Sequence, residues 1–287
     1  MRRLPVAFAC VALAILASLG CLRITSSALA SPLSTTGSAN AVMRDLLARD
    51  LASTDLSYLA LDLRTNSPIA ARWTGSDEAI PVGSLVKPFV AVAYAESHGF
   101  KFPEHNCLAG TCWLPRGHGQ VGIVRAVAMS CNSYFTSLAE GVTAEQVIEV
   151  ARRYGLGGPP TNARPAALAG RYGEWRESPA AIARAYAELL SRRTQPGIAE
   201  IVAGMRESAR GGTGAGISRG VSQLSVLAKT GTAPCTHTPR APGDGFVLAA
   251  WPEDSPRYLL LLRQHGHPGA LAAVTAGRIL RELEPQQ

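Results

Sequence analysis

The chain has 287 residues, of which 47% are hydrophobic and 17% are charged. This apolar content excludes a disordered chain and supplies at least one sizeable core. The formal net charge is +7, but no run of more than two Lys or Arg is present, which argues against a charged nucleic-acid-binding surface.

The first 30 residues have the pattern of an export signal. Arg2 and Arg3 precede an uncharged, mostly apolar run over 6–22, and Ala28-Leu29-Ala30 matches the small-x-small pattern that signal peptidase cuts after. Retention as an uncleaved membrane anchor and lipid attachment at Cys21 are the alternatives. All three interpretations place the body of the protein outside the cytoplasm, in the periplasm or its equivalent.

Residues 31–40 are small and polar, which predicts a linker, and one domain is expected over 41–287. Apolar periodicity predicts helices over 41–51, 84–95, 124–138, 143–154, 178–192, 196–205 and 270–283. Alternating patterns predict strands over 56–63, 69–73, 228–233, 245–251 and 258–263. Strands at both chain ends with helices between them predict an α+β fold, with one sheet closed by both ends and a helical insert.

Four cysteines follow the signal segment. The loop over 102–122 contains Cys107 and Cys112, and a local disulfide between them is as plausible as two free thiols in an oxidising compartment. Cys131 and Cys235 could pair or stay free. The segment Cys235-Thr236-His237 has no second ligand pair at zinc-finger spacing, so no metal site and no cofactor are expected.

Lysine usage is the most informative feature of the composition. The chain has 25 Arg but only three Lys, which are Lys87, Lys101 and Lys229. Arginine stays protonated in proteins, whereas a buried lysine can lose its proton and act as a base. Lys87 lies in an apolar predicted helix, where loss of solvation disfavours its charged form. This pattern indicates that lysine was kept for proton transfer.

Ser84 precedes Lys87 by three residues, which places both side chains on one face of a helix. A serine hydroxyl is a weak nucleophile until a neighbouring base takes its proton. The turn expected at Pro81-Val82-Gly83 would put Ser84 in the first helical turn, where free N–H groups favour developing negative charge. Ser84 and Lys87 are therefore a candidate nucleophile and base.

Two further motifs follow in order. Ser130-Cys131-Asn132 lies between helical patterns and offers a hydroxyl and an amide. The segment Lys229-Thr230-Gly231-Thr232 is predicted to be an edge strand, with a glycine where a ligand backbone could approach. Ser-x-x-Lys, Ser-x-Asn and Lys-Thr-Gly in this order are the motif set of penicillin-binding proteins and serine β-lactamases.

On these motifs the chain resembles the penicillin-binding transpeptidase family, from about residue 56 to the C-terminus. The resemblance implies an α/β sandwich with an antiparallel sheet of about five strands, flanking helices and an inserted helical subdomain. It also implies peptidoglycan stem peptides as substrates and β-lactams as covalent ligands.

By the same resemblance, Ser84 attacks a D-Ala-D-Ala amide or a β-lactam carbonyl, and Lys87 takes its proton. Ser130 and Asn132 pass protons and hold the substrate, with Lys229 supporting Ser130. The strand from Lys229 through Thr230 and Gly231 to Thr232 pairs with the substrate backbone. The N–H groups of Ser84 and Thr232 form the oxyanion hole.

Three functions of this fold stay open at this point. The leading one is a peptidoglycan transpeptidase or carboxypeptidase. No Glu-x-x-Leu-Asn-like segment lies between Asn132 and Lys229, which disfavours a class A β-lactamase. A class D-like β-lactamase with a carboxylated Lys87, and a binding module that senses β-lactams or cell-wall fragments without turnover, are the alternatives.

Overall fold

The computed structural model describes residues 33–53, 55–219, 225–235 and 243–283, with side chains described from residue 39 onward. The strands are, in chain order, β1 Leu56–Asp62, β2 Ser67–Arg72, β3 Ile80–Pro81, β4 His105–Cys107, β5 Gly119–Val121, β6 Arg176–Glu177, β7 Leu227–Ala233, β8 Asp244–Trp251 and β9 Tyr258–His265. The α-helices are α1 Leu33–Asp50, α2 Lys87–Ser97, α3 Ile123–Ala128, α4 Asn132–Glu140, α5 Ala144–Arg153, α6 Pro165–Leu168, α7 Pro179–Ser191, α8 Ile198–Gly211 and α9 Gly269–Glu282.

The main sheet has five strands in the order β2-β1-β9-β8-β7, and every neighbouring pair is antiparallel. β1 and β2 come from the N-terminal part of the chain, whereas β7, β8 and β9 come from the C-terminal part. The insert between them is helical, apart from two short two-stranded pairings. The α+β fold and the five-stranded sheet expected from the sequence are therefore confirmed.

Successive side chains of a strand point to opposite faces of this sheet, and both faces are buried. Val247 and Ala249 of β8 pack with α1 and α9 in one apolar cluster. Phe246, Leu248 and Ala250 of the same strand belong to the larger cluster formed with the helical insert. The sheet is thus a shared wall between two cores, and β7 lies at its edge.

Local sequence signals explain several element ends. Ser178 caps α7 through its hydroxyl, which accepts from the N–H of Ala181, and Pro179 occupies the first turn. Thr143 and Gln146 form a complete capping box at the start of α5. These two helices were predicted within two residues of their observed ends.

Four predicted boundaries were wrong, and one of them is the end of α8, expected at residue 205 and observed at Gly211. Residues 83–86 form a 3₁₀ turn and the α-helix begins only at Lys87, so Ser84 precedes α2. The single helix expected over 124–138 is broken into α3 and α4 by a turn at 129–131. The helix expected to begin at residue 41 begins at Leu33.

Among the residues that the structure describes, no helix is long and apolar enough to cross a bilayer. The predicted export signal over 1–30 and His237 lie outside the described residues.

Candidate active site

A cleft of about 490 Å³ opens between the edge strand β7 and the helical insert. Six of the residues singled out in the sequence line it: Ser84, Ser130, Asn132, Thr230, Gly231 and Thr232. The other two, Lys87 and Lys229, are fully buried beneath its floor. The fold therefore brings together three motifs that are separated by more than 40 residues in the chain.

Ser84 lies on the 3₁₀ turn that leads into α2. The preceding Gly83 has φ +57°, a conformation that disfavours residues with a side chain. A Cβ at this position would lie only 2.2 Å from the carbonyl oxygen of Thr232. The glycine therefore allows the turn that carries Ser84 to lie directly against β7.

β7 meets this turn with a glycine of its own. A Cβ on Gly231 would lie 2.9 Å from the carbonyl oxygen of Val82 and 3.1 Å from Cγ of Leu85. Real side chains do not approach backbone atoms so closely. Gly231 thus has a packing role at the junction of β7 and the Ser84 turn, in addition to any contact with a ligand.

Lys87 is held by acceptors from the second motif. Its Nζ donates to the carbonyl oxygen of Ser130 at 2.7 Å and to Oδ1 of Asn132 at 2.6 Å. The ring of Phe135 lies 5.4 Å from the same nitrogen. Burial lowers the pKa of Lys87 to about 7, so a large fraction is neutral near physiological pH.

Ser130 connects the two buried lysines. Its Oγ accepts from Nζ of Lys229 at 2.9 Å and lies 3.4 Å from Nζ of Lys87. Its backbone has φ +49°, which is unusual for a residue other than glycine and costs on the order of 1–3 kcal/mol. Hydrogen bonds from the turn to α3 hold this geometry, including one from the N–H of Cys131 to the carbonyl of Ala126 at 2.9 Å.

Lys229 has no exposed surface and also donates to the carbonyl oxygen of Thr230 at 2.6 Å. Burial, followed by the neighbouring Lys87, lowers the pKa of Lys229 well below its usual value. Two ammonium groups this close repel each other in a medium of low polarity. The pair therefore favours a state in which at least one of the two lysines is neutral. Such a pair is suited to moving a proton through Ser130.

The rest of β7 is anchored by threonine hydroxyls. Oγ1 of Thr230 donates to Oγ1 of Thr213 at 2.5 Å, and Oγ1 of Thr232 accepts from the N–H of Gly269 at 3.0 Å. Among the described residues, β7 pairs only with β8. Its outer edge therefore faces the cleft and can accept an extended peptide.

Comparison with protein-family models gives a match to the penicillin-binding protein transpeptidase domain over residues 65–283. The chain belongs to this family. No curated protein matches the sequence significantly.

Solved structures of transpeptidase domains share the fold. Penicillin-binding protein 2 of Pseudomonas aeruginosa is 16% identical, with a TM-score of 0.71 over 85% of this chain and 74% of that chain. The transpeptidase domain of Burkholderia pseudomallei penicillin-binding protein 3 is also 16% identical, with a TM-score of 0.68 over 86% and 92%. The D,D-transpeptidase domain of an Eggerthella lenta peptidoglycan glycosyltransferase is 13% identical, with a TM-score of 0.67 over 83% and 80%.

Several residues of this transpeptidase cleft were not identified from the sequence. Thr213, Arg171, Tyr172 and Trp113 line it. Thr213 lies in a glycine-rich segment after α8 and reaches Thr230 only through the fold. A glycine-rich run beside a polar residue was the one signal that could have pointed to it.

The Cys107–Cys112 disulfide considered from the sequence is not formed in the structure. Sγ of Cys107 instead contacts Nδ1 of His118, and Sγ of Cys112 lies 3.8 Å from Sγ of Cys131. Cys107, Cys112, His118 and Cys131 form one of two groups of described residues that could hold a metal ion, and Cys235, Asp244 and His265 form the other.

Proposed function

We propose that this transpeptidase-family chain is a serine D,D-transpeptidase or D,D-carboxypeptidase acting on D-Ala-D-Ala stem peptides of peptidoglycan through a Ser84 acyl-enzyme. The observation that carries the proposal is the pair of fully buried lysines that meet at Ser130, which lines the same cleft as Ser84. Burying two lysine side chains against one hydroxyl is costly for folding, and proton transfer gives a reason for them.

In the acylation step, Oγ of Ser84 attacks the carbonyl carbon of the penultimate D-Ala and its proton passes to neutral Lys87. Neutral lysine has two N–H donors and one lone pair. The contacts at 2.7 Å and 2.6 Å direct those donors to Ser130 and Asn132, which leaves the lone pair for the incoming proton. The lowered pKa of Lys87 provides the neutral form at working pH.

The tetrahedral intermediate then collapses with cleavage of the C–N bond. The departing amine of the terminal D-Ala takes a proton from Oγ of Ser130, and the buried lysines replace that proton. An acceptor amine or water attacks the ester, its proton returns through the same groups, and Ser84 is regenerated. Proton transfer of this kind contributes about 10²–10⁴-fold to the rate.

The developing oxyanion would be stabilised by the N–H groups of Ser84 and Thr232. The close packing of Gly83 on the carbonyl of Thr232 supports this assignment because it fixes the two backbones against each other. The outer edge of β7 would pair with the backbone of the stem peptide, with Asn132 and Thr230 holding its polar groups. A β-lactam would occupy the same place as a covalent ligand.

The class D-like β-lactamase alternative requires a carboxylated Lys87. That modification would place a negatively charged group beside the carbonyl of Ser130 and Oδ1 of Asn132, both of which are acceptors. Acceptors facing a carboxylate repel it, so these contacts favour an unmodified lysine. The alternative of a sensor without turnover has no specific contact in its favour.

The test is turnover of a synthetic stem pentapeptide that ends in D-Ala-D-Ala, followed by mass spectrometry with and without an added D-amino acid acceptor. The wild-type protein should release one D-Ala per peptide and form an exchange product with the acceptor, whereas Ser84→Ala should do neither. Equal turnover in both proteins would refute the proposal. A lack of peptide turnover together with rapid penicillin hydrolysis would establish the β-lactamase alternative, and a stable adduct without peptide turnover would establish the sensor.

We also propose that the chain is exported through its first 30 residues, because peptidoglycan lies outside the cytoplasm. Its domain would then extend from about residue 41 to the C-terminus.

A further inference from the structure

Three cysteine sulfurs and one histidine nitrogen converge at one point beside the active-site cleft. Cys107, Cys112, His118 and Cys131 each direct one atom to it, and these four atoms lie within 4.8 Å of one another. Cys107, His118 and Cys131 are buried and Cys112 is partly buried. Sequence spacing gave no hint of this cluster because its last member, Cys131, lies 13 residues beyond the nearest of the others, in a different turn.

Two of the six distances among the four atoms equal the edges of a metal-centred tetrahedron, and all six are within 4.8 Å. A tetrahedral zinc ion with Zn–S of about 2.3 Å and Zn–N of about 2.05 Å requires S···S of about 3.8 Å and S···N of about 3.5 Å. The observed Sγ···Sγ distance of Cys112 and Cys131 is 3.8 Å, and Sγ of Cys107 lies 3.5 Å from Nδ1 of His118. A disulfide would instead need its two sulfurs about 2.05 Å apart.

The backbone is arranged to form this cluster. β4 and β5 pair so that Cys107 faces Gly119, which brings the neighbouring His118 alongside it. Gly117 has φ +72°, and a Cβ there would lie 2.2 Å from the carbonyl oxygen of Cys107. The loop can therefore fold back on Cys107 only with a glycine at this position.

Polar groups around the cluster fit a bound cation. The N–H of Asn132 donates to Sγ of Cys112 at 3.2 Å, a contact that supports a thiolate ligand. Nδ1 of His118 has a sulfur as its hydrogen-bond partner, and Nε2 is buried without a partner in the described part of the chain. A buried imidazole whose one contact is a thiol is poorly satisfied, and a metal bond to the ring would compensate that cost.

We propose that Cys107, Cys112, His118 and Cys131 form a structural zinc site. Thiolate and imidazole ligands select zinc over calcium or magnesium, and four protein ligands close the coordination sphere as structural sites do. No catalytic role for the ion follows from this arrangement, since all four positions are taken by the protein.

The site would tie the loop over 107–118 to the turn of the second motif. Cys131 lies between Ser130 and Asn132, so a bond to this cysteine fixes the strained turn that presents both side chains. The same loop carries Trp113, which lines the cleft and whose Nε1 donates to the carbonyl of Met129 at 3.0 Å. Metal binding would therefore position the Ser130 hydroxyl and this wall of the cleft.

The experiment uses the full-length chain, purified without chelators, with zinc per chain measured by inductively coupled plasma mass spectrometry. Cobalt(II) then replaces zinc after chelator treatment, and absorption reports thiolate-to-cobalt charge transfer and tetrahedral d–d bands. Cys112→Ser and Cys107→Ser are compared with Cys235→Ser, which removes a cysteine of the other candidate group and so tests whether the metal is bound there instead. Thermal unfolding of chelator-treated wild-type protein, with zinc or magnesium added back, covers the case in which a ligand variant does not fold.

We expect one zinc per chain in the wild type and in Cys235→Ser. Loss of a ligand cysteine should lower cobalt affinity by more than the about 10–100-fold that loss of a supporting residue costs. Chelation should lower the melting temperature, and zinc but not magnesium should restore it.

Three results would each overturn the proposal: a wild-type protein without zinc or a cobalt charge-transfer band, a Cys112–Cys131 disulfide in a non-reducing peptide map, or metal lost only in Cys235→Ser. Because metal content is read without substrate, failure of this site is distinguishable from failure of the proposed function.

Discussion

At the scale of one residue, Ser130 combines an unfavourable backbone conformation with a hydroxyl in the proposed proton relay. It accepts from Lys229, lies beside Lys87 and has a left-handed backbone at φ +49°. A glycine would adopt this conformation without steric cost, but it would have no hydroxyl to carry a proton. The presence of serine in this position is what the proposed proton relay requires.

This residue gives a paired prediction about stability and activity. Ser130→Gly should relieve the backbone strain and be more stable than Ser130→Ala by about 1 kcal/mol, since alanine keeps the cost of the left-handed conformation. Both variants should lose about 10²–10⁴-fold in the acylation rate because the hydroxyl is gone. Urea unfolding and the rate of labelling by a fluorescent penicillin measure the two quantities. Near wild-type acylation in either variant would exclude Ser130 from the relay.

Lys87 gives a prediction about pH. A general base acts in its neutral form, and burial lowers the pKa of Lys87 to about 7, so the acylation rate should rise as pH increases through about 7 and then level off. Lys87→Arg should abolish acylation over the same range because arginine stays protonated. The exposed Lys101 provides the matched control, and Lys101→Arg should keep the wild-type profile. A flat profile in the wild-type protein would contradict the assignment of Lys87 as the base.

At the scale of elements, the site depends on how closely β7 approaches the 3₁₀ turn that carries Ser84. Gly83 and Gly231 face this junction from the two sides, and neither has room for a Cβ. The contact holds the backbones of the Ser84 turn and of Thr232 against each other, as the proposed oxyanion hole would require.

The junction predicts different outcomes for two glycine-to-alanine changes. Gly231→Ala should push β7 from Val82, lower the melting temperature and slow acylation by at least about tenfold, because a misplacement of about 1 Å at an active site can cost about 100-fold. Gly211→Ala is the control, since its Cβ would meet no atom within 4 Å and alanine favours the helix end. Differential scanning calorimetry and penicillin labelling check both variants. Equal behaviour of the two would show that close approach of β7 is unimportant.

At the scale of the whole molecule, the sheet joins both chain ends and separates two apolar cores. Trp175 lies in the core on the side of the helical insert, and Trp251 lies in the core with α1 and α9. Because β8 and β9 contribute side chains to both cores, neither can lose its packing alone. We therefore predict one cooperative unfolding transition in urea, with coincident midpoints by tryptophan fluorescence and far-ultraviolet circular dichroism. Separate midpoints would show that the cores unfold independently.

The sequence predicted the architecture well where the signals were local or carried by motifs. The strands at both ends, the Ser178 cap and the set of three motifs needed only short-range patterns. The 3₁₀ turn at Ser84 and the break at Ser130 were missed because tertiary contacts with β7 and Lys87 stabilise them against helix propensity. The positions of Thr213 in the cleft and of His118 beside Cys107 depend on packing between distant parts of the chain. No local pattern in the sequence indicates such packing.

The covalent adduct of Ser84 tests the central claim most directly. The full chain and Ser84→Ala, which should fold alike, are incubated with a fluorescent penicillin and analysed by intact-mass and peptide-mapping mass spectrometry over time. The account predicts one penicilloyl group on the peptide that contains Ser84 in the wild-type protein and none in the variant. An adduct on another residue, equal labelling of the variant, or no adduct in a folded wild-type protein would contradict it.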